Sequence, residues 1–215
     1  MQLQKTKQRI PKDILKKIED SKFVSLDVGC GAYKRKGAIG MDVRPLDGVD
    51  LVHDFTQFPW PIPDDVCRLV TANHVIEHVP KWGCPPQVHA LTKLLVDKKV
   101  ITQAEADSNI GETQIFSYLM RFLDECWRVS KVGGQLAMVF PYAGSIGFYQ
   151  DPTHSSPITE STIFYFDPEH SSNLWYIYKP KPWKIEVNAY QVNGNMEVIL
   201  SKRPWTKEYE EAQYV

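Results

Sequence analysis

The chain has 215 residues, 43% of them hydrophobic, which suits one well-packed core but is too short for two. We therefore predict a single domain over residues 1–215. No apolar run approaches the ~18 residues of a membrane helix, and the amino terminus is charged without an apolar stretch, which predicts a cytoplasmic protein with no membrane partner. A net charge of −1 does not indicate a nucleic-acid partner, although it leaves one open.

The four cysteines share no paired short spacing, so reduced thiols are predicted and no metal site or disulfide framework is indicated. They are Cys30, Cys67, Cys84 and Cys126.

The leading segment predicts a short helix from Pro11 to about Asp20. Up to Lys22 the chain carries seven basic residues against three acidic ones. A solvated helix face explains this excess better than a nucleic-acid patch.

A glycine turn then separates two short apolar runs. Residues 23–28 suit a buried parallel strand, and Gly29 and Gly31 after them let backbone N–H groups approach a ligand closely. The second run, residues 38–41, ends at Asp42, whose carboxylate can accept both hydroxyls of a ribose. The pattern predicts a nucleoside site.

A dinucleotide fold is the nearest alternative, but its fingerprint needs a third glycine and an acidic residue about 20 residues further on. Position 34 is a lysine, and Asp42 follows Gly31 by only 11 residues. The segment instead resembles motif I of class I S-adenosylmethionine-dependent methyltransferases, here Asp27-Val-Gly29-Cys-Gly31, with Asp42 ending the second strand.

The resemblance continues in the family's order over roughly residues 22–200. Between the glycine turn and the second strand only residues 32–37 remain, which is enough for about one helical turn where the fold usually has a full helix. A subset of predicted methyltransferases resembling type 11 shares this shortened segment. The later landmarks are a third strand with an acidic turn at 51–55, a proline-rich loop at 58–65, a fourth strand and its loop at 68–80, and a fifth strand at 135–141.

The resemblance implies S-adenosyl-L-methionine as the cofactor. For Asp54 the alternative is an Asx turn before Phe55. The implied contacts are Asp27, Gly29, Cys30 and Gly31 for the methionine end, Asp42 for the ribose, Asp54 with the Phe55 backbone for the adenine edge, and Asn73 with His74 for the methionine amino group.

The run His74-Val-Ile-Glu77-His78 also matches the spelling of an inverted zinc-peptidase motif. A zinc helix should continue for several turns, whereas this run follows a buried strand and meets Pro80 two residues later. The peptidase interpretation therefore stays a remote alternative.

An insertion follows the fourth strand, and we predict a helical hairpin at about residues 81–112. It either covers the substrate pocket or forms a surface elaboration or dimer contact, which leaves a homo-oligomer open. Its signals are a helical stripe of Val88, Leu91, Leu94 and Leu95, a polar break at 97–99, and a capping box from Thr102 to Glu105.

A stronger helix is predicted from about Thr113 to Ser130, with residues 133–134 supplying its end. Two strand-like runs, 183–190 and 196–201, are joined across Asn193-Gly194, a hairpin signal. The predicted fold class is α/β: a seven-stranded, mostly parallel, Rossmann-like methyltransferase sheet with an antiparallel C-terminal hairpin and helices on both faces.

The acceptor side is expected in the run Tyr149-Gln-Asp151-Pro-Thr-His154, before a short helix that Thr159 can cap. His154 is the candidate acceptor-orienting residue or general base, with Asp151 beside it and with His78 and Tyr149 on the substrate side. The alternative is that Asp151 and His154 only order the loop.

The predicted function is transfer of a methyl group from S-adenosyl-L-methionine to an undetermined acceptor, a small molecule or a nucleobase-like group. The alternative is a catalytically silent module that binds S-adenosylmethionine without transferring its methyl group.

Overall fold

The computed structural model describes residues 10–80, 93–102 and 117–212. Seven strands form one sheet in the order β3-β2-β1-β4-β5-β7-β6. The strands are β1 (Ser25–Val28), β2 (Ile39–Asp42), β3 (Leu51–Val52), β4 (Cys67–Asn73), β5 (Ser130–Pro141), β6 (Trp183–Tyr190) and β7 (Asn195–Lys202).

Strands β1 to β5 pair in parallel, whereas β7 runs antiparallel to both of its neighbours, β5 and β6. The predicted sheet, parallel except for its C-terminal hairpin, is confirmed. The chain moves outward from β1 to β3 and then returns to place β4 on the other side of β1. In open α/β sheets such a switch point is where ligands bind, beyond the carboxyl ends of the strands.

Helices pack around this sheet, and none within the described ranges is long and apolar enough to cross a membrane. The leading helix begins one residue after Pro11 and ends at Asp20, as predicted. The helices described over their full length are α1 (Lys12–Asp20), α2 (Tyr118–Val129), α3 (Ile146–Tyr149), α4 (Glu160–Phe164), α5 (Trp175–Tyr178) and α6 (Lys207–Glu211), and a 3-10 turn covers Ile76–His78.

The predicted start of α2 and the predicted signal for its end are wrong, whereas its last residue lies one position before the predicted one. The Ser117 hydroxyl caps the helix by accepting from the Met120 N–H at 3.3 Å, so the helix starts after Thr113, which lies outside the described residues. The helix ends at Val129, and Ser130 opens β5 directly, so the glycine pair does not form its end.

Gly133 and Gly134 instead form an irregularity inside β5. The register jumps from Cys67 opposite Ser130 to Leu69 opposite Gln135, which leaves extra residues on the β5 side. Gly133 has φ +73°, and a Cβ on Gly134 would lie 2.8 Å from the Cys67 carbonyl oxygen. These glycines permit the bulge. Because a bulge and a helix end both favour glycine, the sequence alone does not distinguish them.

The C-terminal hairpin follows its prediction closely. Gly194 has φ +86°, and the Gln191 N–H donates to the Asn195 carbonyl at 2.7 Å to close the turn. In β7 buried and partly exposed residues alternate, as expected for a strand packed on one face. Thr159 is the N-cap residue of α4, as predicted, in a capping box in which the Thr162 hydroxyl accepts from the Thr159 N–H at 3.2 Å.

The predicted insertion falls largely outside the described residues, which exclude 81–92 and 103–116. Within the described part, residues 93–97 are helical and Lys99 has φ +55°. The polar break at 97–99 therefore does end a helical segment, and the hairpin itself stays a prediction.

The short β1–β2 connection contains no helix and is held by polar contacts. Asp50 accepts hydrogen bonds from the Lys34 ammonium at 2.8 Å and the Gly40 N–H at 2.9 Å, and it also pairs with Lys17 on α1. One carboxylate thus ties together the leading helix, the abbreviated connection and β2.

We expect this carboxylate to make stability depend on pH. Burial alone would raise the pKa of Asp50, but hydrogen bonds from Lys17, Lys34 and the Gly40 N–H lower it below its usual value. The stabilisation is therefore complete above the unfolded-state pKa of about 4 and is lost as pH falls through the folded-state value.

Urea unfolding at about pH 7 and about pH 3 measures this effect. Asp50→Asn should flatten the fall in the free energy of unfolding relative to wild type. Equal pH slopes for the two proteins would contradict the assignment.

Candidate active site

The carboxyl ends of β1, β2 and β4 meet at one edge of the sheet. Val28 pairs with Met41 on one side and with Ala72 on the other. Gly29, Asp42 and Asn73 therefore occupy neighbouring positions where the strands end. The parallel pairing of these strands therefore brings their carboxyl ends together at the edge that the sequence predicts as the cofactor side.

The glycine turn curls back onto β2. Gly29 and Gly31 have φ +63° and +54°, a region that side chains rarely adopt. A Cβ on Gly29 would also lie 2.5 Å from Cγ2 of Val75, which follows β4. The Cys30 N–H donates to the Met41 carbonyl at 3.2 Å.

Asp42 closes the turn with its side chain. Its Oδ2 accepts from the Gly31 N–H at 2.9 Å, and its Oδ1 accepts from the Arg44 N–H at 2.9 Å and Nε at 3.3 Å. Burial alone would raise the pKa of Asp42, but these hydrogen bonds lower it, so the group is ionised at neutral pH.

This arrangement limits what Asp42 can add to a ribose. A carboxylate offers about four lone-pair positions, and three of them are taken. The Arg44 side chain is 65% exposed and can swing away, whereas the Gly31 N–H belongs to the turn itself. If the Arg44 side chain swings away, two of the four acceptor positions on Asp42 are open, which is enough for the two ribose hydroxyls.

Asp27 is used within the protein. Its Oδ1 accepts from the Thr71 hydroxyl at 2.6 Å and its Oδ2 accepts from the Arg35 N–H at 2.8 Å. The carboxylate joins β4 to the abbreviated connection, so it supports the shape of the glycine turn whether or not it also contacts a ligand.

Asp54 adopts the turn that its alternative interpretation describes. Its Oδ1 accepts from both the N–H and the hydroxyl of Thr56 at 2.8 Å. The Phe55 ring packs edge-on against Phe122 at 5.9 Å between centroids, and its carbonyl accepts from the Trp60 indole at 2.9 Å. These contacts fix the end of β3, where the resemblance places the adenine.

His74 lies just past β4 in a left-handed conformation, φ +53°. Its N–H donates to the Val139 carbonyl at 2.8 Å, and its Nδ1 lies 3.1 Å from Oε1 of buried Glu77. This hydrogen bond raises the pKa of His74, against the lowering effect of burial. Asn73 beside it is exposed.

The peptidase motif does not take its required form. A 3-10 turn covers only Ile76–His78, and His74 precedes it with a positive φ, so the two histidines do not share a helical face. The physical reason is the short distance between the end of β4 and Pro80.

Three of the four residues predicted on the acceptor side, His78, Asp151 and His154, lie close together. Asp151 Oδ1 accepts from the Thr153 N–H at 2.8 Å and hydroxyl at 2.6 Å, and the same hydroxyl lies 2.9 Å from Nδ1 of His78. The Thr153 hydrogen bonds lower the pKa of Asp151. The rings of His78 and His154 are 4.7 Å apart, in an edge-to-face arrangement.

The contact between Asp151 and His154 is looser, with Nε2 and Oδ2 3.8 Å apart. The Nδ1–H of His154 donates to the Phe148 carbonyl, 2.8 Å away. Tyr149 is 74% exposed, with its ring edge-on against Phe148.

Sequence reasoning missed two contacts that shape the site. The Thr153 hydroxyl links Asp151 to His78, and the Arg44 side chain donates a hydrogen bond to Asp42. The Asx-turn signal of the run from Asp151 to Thr153 was available in the sequence. No local pattern encodes the contact between Thr153 and a residue 75 positions earlier.

Cys30 sits in the glycine turn and should be a poor nucleophile. Burial, and then the charges of Asp27 and Asp42, raise the pKa of its thiol to about 11. Because the thiolate is the reactive form, we expect Cys30 to react with iodoacetamide at about pH 8 roughly 100-fold more slowly than an unperturbed thiol.

Peptide mass spectrometry of a time course measures the alkylation of each cysteine, with glutathione as the reference thiol. Modification of Cys30 at the glutathione rate would show that the two carboxylates do not suppress its ionisation.

A scan against models of protein families finds no match, and neither does a search of curated proteins. Solved structures similar to this chain include an rRNA (adenine-N1)-methyltransferase with cosubstrate S-adenosylmethionine from Catenulisporales acidiphilia (12% identity, 91% of this chain and 92% of that one, TM-score 0.47). They also include an S-adenosylmethionine-dependent methyltransferase from Aquifex aeolicus (13% identity, 90% of this chain and 90% of that one, TM-score 0.45). A candidate type 11 methyltransferase from Sulfolobus solfataricus is similar as well (11% identity, 92% of this chain and 90% of that one, TM-score 0.43).

These likenesses are remote, and the strand order and directions define the fold by themselves. The chain has the Rossmann-like sheet of class I methyltransferases, with β7 as the antiparallel strand.

Proposed function

We propose that the chain binds S-adenosyl-L-methionine at the carboxyl edge of β1, β2 and β4 and transfers its methyl group to an acceptor beside His78 and His154. The observation that carries the proposal is the glycine turn with two positive φ angles joined by a hydrogen bond to an ionised Asp42. In this proposal the turn binds the methionine end of the ligand and the carboxylate binds its ribose.

The cofactor lies along the strand ends in this proposal. Its methionine end lies against the glycine turn and Asn73, its ribose lies on Asp42, and its adenine lies at the Asx turn of Asp54. The sulfonium then faces β4 and the 3-10 turn, and the group of Thr153, His78 and His154 stands on that side.

The reaction is a displacement at the methyl carbon. The acceptor's lone pair forms the new bond, the bond from carbon to sulfur breaks, and S-adenosylhomocysteine leaves. Alignment supplies most of the acceleration, and a base is needed only when the acceptor must lose a proton. His154 and Asp151 are the groups available for that proton.

Transfer of label from S-adenosylmethionine tritiated in its methyl group tests the activity. We would incubate the protein separately with RNA, protein and small-molecule fractions of a cell extract, using heat-denatured protein as the control. Incorporation in one fraction supports transfer. Saturable cofactor binding with no incorporation anywhere would favour a silent binding module.

Once an acceptor is found, His154→Ala should lower kcat about 100-fold if the imidazole takes a proton. Binding of S-adenosylhomocysteine should not change, because His154 lies on the acceptor side. His170→Ala, at a histidine that stacks on Phe164 outside this group, is the control. Unchanged turnover in His154→Ala would remove the residue from catalysis.

A further inference from the structure

We propose that Glu77, His78 and His154 form a binding site for a divalent transition metal, best suited to zinc. Among the described residues, one ligand atom from each of these three side chains lies within 4.8 Å of the others. Two imidazoles and one carboxylate are the protein ligands of many zinc sites that keep a fourth position open. This site is independent of the peptidase motif, whose two histidines were His74 and His78.

The first argument is an unsatisfied carboxylate oxygen. Glu77 is fully buried, and its Oε1 interacts with His74 at 3.1 Å. Its Oε2 has no hydrogen-bond partner among the described residues. A buried carboxylate oxygen without a partner costs free energy, and a cation is the partner that this one lacks.

The second argument concerns the tautomer of His78. The Thr153 hydroxyl has one hydrogen, which it donates to the carboxylate of Asp151 at 2.6 Å. It must therefore accept from Nδ1–H of His78 at 2.9 Å. In the neutral ring this leaves the lone pair on Nε2, free to bind a metal.

His154 reaches the same tautomer by a different contact. Its Nδ1 lies 2.8 Å from the Phe148 carbonyl, which can only accept. Nδ1 therefore carries the hydrogen and Nε2 carries the lone pair. Metal-binding histidines usually donate their other N–H to a carbonyl or carboxylate in this way, which fixes the ring.

The two segments that carry the ligands are tied together. The Ser155 and Ser156 N–H groups donate to the Glu77 carbonyl at 2.8 and 3.1 Å, and both hydroxyls donate to the Val79 carbonyl. The loop after Asp151 is thus clamped to the 3-10 turn. A metal would find its ligands already in position, apart from a contraction to the roughly 3.3 Å that tetrahedral zinc requires between ligand atoms.

The metal and a proton on Nε2 exclude one another. If a metal occupies Nε2 of His154, that nitrogen cannot take a proton from the acceptor. The acceptor would then be oriented by binding at the metal's open fourth position. This consequence rests on the proposed function, whereas metal binding itself does not.

Equilibrium dialysis against zinc, with untagged protein and elemental analysis, tests the site without cofactor or acceptor. Wild type should bind one equivalent of zinc, and Glu77→Gln, His78→Ala and His154→Ala should each weaken binding at least about 10-fold. His170→Ala, a histidine outside the cluster, should bind like wild type. Circular dichroism and S-adenosylhomocysteine binding report whether each variant is folded.

Cobalt supplies a second readout, because the visible spectrum of Co²⁺ reports its ligand geometry. A tetrahedral spectrum that is present in wild type and lost in folded Glu77→Gln supports the site. Wild type that binds no zinc would overturn the proposal, and so would equal zinc binding in wild type and all three cluster variants. Neither outcome bears on the cofactor site.

Discussion

Asp42→Ala is expected to weaken binding of S-adenosylhomocysteine at least about 100-fold. Hydrogen bonds to a charged group contribute about 1.5–3 kcal/mol each, and two ribose hydroxyls would lose such a partner. The substitution also removes the acceptor of the Gly31 N–H, which loosens the turn itself. Calorimetric titration of folded variant and wild type measures the ratio.

Two other variants make this result specific. Asp42→Asn keeps one acceptor oxygen for the turn and should bind between wild type and Asp42→Ala. Asp47→Asn removes an exposed carboxylate from the same β2–β3 connection and should bind like wild type. Asp42→Ala that binds with wild-type affinity would remove the carboxylate from the cofactor site.

Arg128→Ala is expected to lower the free energy of unfolding by about 3 kcal/mol. Glu125 is only 7% exposed, and its carboxylate accepts from Arg128 Nε at 2.9 Å and Nη2 at 2.5 Å. The same guanidinium donates to the Ile62 and Trp60 carbonyls at 2.9 and 3.1 Å. Removing it leaves the buried Glu125 carboxylate without its cationic partner and weakens the attachment of the proline-rich loop to α2, although the Trp60 N–H still donates to Glu125 at 2.5 Å.

Urea unfolding measures the loss, and Arg68→Ala, an exposed arginine on β4, should change stability by less than about 0.5 kcal/mol. The double variant Glu125→Gln with Arg128→Met should recover part of the loss, because it removes the unpaired charge. A loss below about 1 kcal/mol in Arg128→Ala would show that water already solvates Glu125.

The parts of the fold that sequence reasoning predicted are those with local signals. An apolar run ending in a glycine turn marks β1, and Asn193-Gly194 marks the C-terminal hairpin. The prediction that the glycine pair at 133–134 ends α2 is wrong, because a helix end and a bulge both favour the backbone freedom of glycine. Only the pairing of β5 with β4 decides between them.

The candidate site divides in the same way. Gly31 and Asp42 could be placed together from sequence, since parallel strands end at one edge. The contact of Asp27 with Thr71 joins residues 44 positions apart. The orphaned oxygen of Glu77 also depends on packing between distant segments, so the metal cluster could not be predicted from spacing alone.

Titration of S-adenosylhomocysteine into the wild-type protein tests the central claim most directly, with NAD⁺ as the comparison ligand. The account predicts saturable one-to-one binding of S-adenosylhomocysteine and none of NAD⁺. Absence of S-adenosylhomocysteine binding to folded protein, or preference for NAD⁺, would contradict the assignment of the glycine turn and Asp42 as a methyl-donor site.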